Sequence, residues 1–249
     1  MNVFASDGWV EFLGQIKDAK DQLQITDRIW YRGQPNSENY LLPSLLLYEN
    51  GIDKEKFLYD GFRKFTERLF QKHSSDWETL FEMQHYGIPT RLLDWSETFS
   101  IALFFAAYYN NKNFPNSDAA VYLLNPVRLN APLCINVLRI PDDQEHLEYS
   151  ETYIEHRKPM HQSPIAIEPN FINGRMLAQR GMFTVHHNTI EPIEDRFPEA
   201  IKKIILKKQL VKTALDFLEL SNVNEYTVYP DIAGISGFLK DSAELKYRQ

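Results

Sequence analysis

Residues 97–109 have helical spacing, yet Ile101, Ala102, Leu103, Phe104, Phe105 and Ala106 place apolar side chains nearly all round the axis. A helix without a polar face must be buried on more than one side. The rest of the chain therefore has to supply structure on both flanks of this segment. Ile29-Trp30-Tyr31, Ala119–Leu124, Gly181–Val185 and Ile201–Leu206 read as strands, because each run is short, apolar and bounded by turn residues. Amphipathic helices are expected over about 7–19, with Trp9, Phe12, Leu13 and Ile16 on one face, and after residue 210, where Val211, Leu215 and Leu218 share a face. A longer helix over about 54–72 is expected to bury Phe57, Gly61, Phe62, Phe65 and Leu69, and another runs from 77 to 85, stopped by Gly87 and Pro89.

With 249 residues, 43% apolar and 24% charged, the chain suits one domain over 1–249 with a sizeable core. The stretch 141–170 is polar and proline-rich, and is expected to be an excursion or lid over that core. A net charge of -7 leaves no overall positive field for a phosphate backbone, so direct DNA binding is not expected. The single Cys134 excludes an intramolecular disulfide, and residues 1–14 lack a secretory pattern, which points to the cytoplasm. The apolar run at 101–109 is far short of the roughly 20 residues that span a bilayer, so no membrane partner is expected. His186 and His187 would face opposite sides of a strand, and no metal site is read from them.

Five separated blocks carry a family resemblance. They are Trp30-Tyr31-Arg32-Gly33-Gln34 with Leu42-Pro43-Ser44, the run from Gln84 to Ser96 containing Tyr86-Gly87-Ile88-Pro89-Thr90-Arg91-Leu92-Leu93-Asp94-Trp95, the Ala102–Ala106 segment, Gln179-Arg180-Gly181-Met182-Phe183-Thr184, and Tyr229-Pro230-Asp231-Ile232-Ala233-Gly234-Ile235. In this order they resemble the FRG domain family, named for a Phe/Tyr-Arg-Gly motif. The order of elements also resembles, at fold level, the ADP-ribosyltransferase superfamily. The resemblance implies an α+β fold with a mixed, partly split β-sheet surrounded by helices, and one pocket near the strands bearing Arg32 and the 90–94 segment. It also implies NAD as substrate, a protein or nucleic-acid acceptor, and a setting in phage defence.

The chemistry of such a site favours these residue types. A guanidinium gives pyrophosphate oxygens two parallel hydrogen bonds, which makes Arg32 and Arg91 candidates. A flat base needs an aromatic platform and fixed polar contacts, for which Tyr86, Trp95, Thr90, Gln34 and the backbone beside Gly33 are available. Glycosidic cleavage passes through an oxocarbenium-like state that a carboxylate or amide can stabilise. The superfamily's glutamate is expected on a strand near 175–183, where the chain offers Gln179 and no carboxylate. Asp94 or Glu225 would have to replace it, so Arg32, Asp94 and Gln179 are the catalytic candidates. Two other readings stand beside this one: a non-catalytic nucleotide- or protein-binding module, and a metal-dependent nuclease or other phosphate-processing enzyme using Asp94, Asp231 and nearby carboxylates with a divalent ion. The structural alternative for Arg32 and Asp94 is a salt bridge joining two strands.

Overall fold

A computed structural model describes residues 7–24, 28–67, 75–140 and 147–243. Among these residues seven strands form one mixed, open sheet in the order β4-β5-β6-β2-β1-β3-β7, with β4 and β5 parallel and the other neighbours antiparallel. The strands are β1 Trp30–Gln34, β2 Leu92–Ser96, β3 Ala119–Leu124, β4 Leu138–Ile140, β5 Ile165–Pro169, β6 Gly181–Val185 and β7 Ile201–Leu206. The α+β class and the split expected of the sheet are both present. β1 pairs with β3 along five residues, and β2 pairs with β6 along five, whereas β1 and β2 meet in register only at Tyr31 and Ser96. The sheet is thus two blocks joined at one residue pair.

The all-round apolar helix is α4, Phe99–Asn113, following α1 Asp7–Gln22, α2 Gly51–Thr66 and α3 Asp76–His85. One side of α4 lies on β1, and the other packs against Trp9 and Phe12 of α1 and against Val211, Ala214 and Leu218. That double burial explains why it has no polar face. Short helices α5 Pro126–Asn130, α6 Gly174–Gln179 and α7 Ile193–Arg196 connect strands, and α8 Val211–Leu220, α9 Glu225–Val228 and α10 Ile232–Ser242 close the chain.

Three expectations need correcting. β1 runs on through Arg32 and Gly33 to Gln34, so Arg32 lies mid-strand rather than at a strand end. The segment at 175–183 is not one strand: Gln179 is the last residue of α6, and β6 starts at Gly181. In α2 the buried positions are Gly51, Glu55, Tyr59 and Phe62, while Phe57 is 75% and Phe65 79% exposed. Glu55 must face inward to meet the buried Arg91, and that contact turns the helix so that positions 55, 59 and 62 form the inner stripe. Leu69 and Lys72 lie outside the described residues. Within 141–170, residues 141–146 are also outside them; Tyr149 and Tyr153 are buried against α2 and α3, and Ile165–Pro169 is strand β5 between β4 and β6.

Candidate functional site

Neighbouring residues of a strand point to opposite faces, and β1 uses this at Arg32 and Gly33. Gly33 faces α4, whose backbone comes so close that a Cβ built on the glycine would stand 1.8 Å from the Ala102 carbonyl oxygen. Only a residue without a side chain fits there. Arg32 turns the other way, into the split between β1 and β2. Its Nη1 donates to the Asp94 carbonyl oxygen at 2.7 Å and lies 3.7 Å from Asp94 Oδ2. A side chain thereby bridges the two strands just where their backbone register has ended. Burial pulls the Arg32 guanidinium below its ordinary value, and the Asp94 charge opposes this. Its Nε is buried without a hydrogen-bond partner among the described residues.

Asp94 is exposed on β2 while Leu92, Leu93, Trp95 and Ser96 beside it are buried. Its carboxylate accepts from Gln84 Nε2 at 2.8 Å, and Gln84 Oε1 accepts from the Thr90 hydroxyl at 2.6 Å. Thr90 thus fixes the Gln84 amide, which in turn holds Asp94. Gln84 and His85 sit at the end of α3, whose start is set by a capping box between Ser75 and Glu78 and whose exit turns at Gly87, φ +76°.

On the far side of the split, α6 brings Arg175 and Gln179. Arg175 stacks on the Tyr229 ring at 4.6 Å and donates to the His85 carbonyl at 3.3 Å. Gln179 donates Nε2 to the Val228 carbonyl at 3.1 Å, and its own backbone carbonyl accepts from Ser96 Oγ at 2.6 Å. Between these elements lies a cavity of about 140 Å³, lined by Tyr31, Arg32, Gly33, Asp94, Trp95, Ser96, Ala102, Phe105, Arg175 and Gln179. A smaller cavity of about 30 Å³ shares Asp94, Trp95, Arg175 and Gln179 with it and adds Gln84 and His85.

The cleft thus gathers Arg32, Gly33, Asp94, Trp95 and Gln179 of the residues singled out in the sequence. Residues 27–114 match the model of the FRG domain. The matched segment is an FRG domain. No curated protein and no solved structure matches the chain. The FRG match spans β1, α3, β2 and α4, and so contributes the Arg32, Asp94 and Phe105 side of the cleft; it ends before Arg175 and Gln179.

Apart from Trp95, the other candidates lie elsewhere in the fold. Arg91 is fully buried, with Nε donating to Glu55 Oε1 at 2.6 Å and Nη2 to Glu55 Oε2, and with its guanidinium 4.4 Å over the Tyr153 ring. Burial opposes its charge, but Glu55 outweighs burial and holds Arg91 above its ordinary value. Gln34 pairs with Ala120 on β3, and Tyr86 is exposed with its ring edge-on to His85; neither lines the two cavities. Trp95 lines both, but its indole is buried and donates to Thr184 Oγ1 at 3.1 Å. His186 is buried and pushed down to about 3, by burial first and then by Arg91.

Glu225 accepts from Tyr108 Oη at 2.8 Å in a larger cavity of about 770 Å³ between α4, α8, α9 and α10. Lys112 and Asp241 meet the same tyrosine, and Lys112 lies beside both carboxylates. Asp231 caps α10 through the Gly234 amide at 2.9 Å. Among the described residues no group of three His, Cys, Asp or Glu side chains is placed to hold a metal ion, and no helix is long and apolar enough to cross a membrane. Tyr31, Ser96, Ala102, Phe105 and Arg175 are cleft residues that sequence reasoning did not assign to the site. Phe105 reads as core in an apolar helix, and Arg175 lies in a six-residue helix without a distinctive pattern.

Proposed function

We propose that the cleft at the sheet split binds NAD or a related nucleotide and cleaves its N-glycosidic bond, in the manner of the ADP-ribosyltransferases. The observation that carries this reading is the convergence of two guanidiniums, Arg32 and Arg175, with the Asp94 carboxylate and the Gln179 amide around one cavity. Binding pockets for whole drug-sized ligands occupy roughly 300–1,000 Å³. A cavity of about 140 Å³ takes only one end of a dinucleotide, so a flat ring would lie inside beside Phe105 with the pyrophosphate at the arginines. Asp94 stands where positive charge would develop on the ribose.

A module that binds without turnover is the second reading, and Gln179 favours it. An amide holds a ribose hydroxyl but accepts no proton as a base, and its Nε2 is already committed to Val228. Nicotinamide release from NAD separates the two. Wild type is expected to release it, and Arg32→Ala and Asp94→Asn are each expected to lose about 30-fold to 150-fold, the equivalent of about 2–3 kcal/mol for a charge-assisted contact. Saturable NAD binding with no release by wild type would leave only the binding module.

A further inference from the structure

The cavity of about 30 Å³ beside the cleft exceeds the roughly 10–15 Å³ that one water molecule needs. A water held in such a place needs two to four polar partners. Its walls include the Gln84 amide, the Asp94 carboxylate and His85, with Phe81 and Phe183 on the apolar side. His85 Nδ1 is buried and has no hydrogen-bond partner among the described residues. Buried polar atoms seldom stay unpaired, so this nitrogen calls for a small polar guest.

We propose that the small cavity seats the water that attacks the ribose C1′, held by His85 Nδ1 and the Asp94 carboxylate, so that the acceptor is water and the reaction hydrolysis. The inference rests on the nucleotide reading above, which puts C1′ next to Asp94. The water oxygen bonds to C1′, and the C1′–N bond breaks with its electron pair leaving on nicotinamide. The proton lost by the water passes to Asp94 and then to solvent. Burial, and after it the Arg175 charge, keep the His85 imidazole below its ordinary value, so that a neutral ring accepts a hydrogen bond from the water. Asp94 has lone pairs beyond the one taken by Gln84 Nε2.

The test is the partition of NAD between hydrolysis and methanolysis in dilute methanol, read as ADP-ribose against methyl ADP-ribose. His85→Ala enlarges the seat and removes the nitrogen that orients the water. It is expected to lower hydrolysis by about tenfold or more with KM for NAD changed less than about twofold, and to raise the methanol share severalfold. Gly181→Ala is the second variant, because Gly181 lines the seat and its added methyl would stand 3.7 Å from the nearest atom, Met176 O. It should reduce hydrolysis with KM unchanged and without touching His85 or Asp94. If both variants keep the wild-type rate and partition, the water seat is overturned. Wild type that binds NAD and releases no nicotinamide also overturns it, while leaving the nucleotide reading in place; failure of NAD to bind removes both.

Discussion

Gly33→Ala is expected to destabilise the fold by about 3 kcal/mol or more, the upper range of overpacking in a filled core. The new methyl would meet the Ala102 carbonyl oxygen at 1.8 Å and the Ala106 amide nitrogen at 2.6 Å. Both are backbone atoms of a helix pressed from behind by α1 and α8, so no rotamer change relieves the clash. Either α4 moves off β1 or β1 leaves its register with β3. Both responses also deform the cleft, because Gly33, Ala102 and Phe105 line it. Urea unfolding followed by circular dichroism measures the loss. A variant within about 0.5 kcal/mol of wild type would mean that α4 sits farther from β1 than described.

Glu55→Gln is expected to cost about 3–5 kcal/mol, as when one partner of a buried ion pair is removed and the other charge remains. Arg91 stays fully buried, and its bonds to the His186 carbonyl at 2.7 Å and Asn188 Oδ1 at 3.1 Å offer dipoles but no counter-charge. Tyr149 also loses the carboxylate that its hydroxyl donates to at 2.6 Å. In a chain of this size the loss lowers Tm by about 10 °C or more. Replacing both residues together, Glu55→Met with Arg91→Met, should recover much of the stability, because an apolar pair leaves no buried charge unmatched. A double variant no better than Glu55→Gln alone would show that the pair contributes through shape rather than charge.

These two sites also show how far the sequence could be read. Gly33 was legible as part of a motif, and its reason, the approach of α4, followed only from packing. Arg32 and Arg91 looked alike, each an arginine in an apolar surrounding. What separates them is Glu55, which reaches Arg91 from 36 positions upstream on a helix whose phenylalanine pattern suggested the opposite face. Strands β3, β6 and β7 and the wrap around α4 were legible because apolar runs and periodicity depend on local sequence. The end of β1 was misjudged because Gly33 and Gln34 have turn-like composition, whereas pairing with β3 carries the strand through them. Arg175 had no local signature, since only the fold brings α6 against the β1–β2 split.

Whether the β1–β2 split binds a nucleotide is measured by calorimetric titration of NAD into wild type and Arg32→Ala, with thermal melts of both. The expected result is saturable binding by wild type, weakened about 30-fold or more in Arg32→Ala, while the melting temperatures differ by no more than about 3 °C. No binding by folded wild type, or a variant that loses stability in proportion to affinity, would contradict a nucleotide site there and leave Arg32 as a strut between β1 and β2.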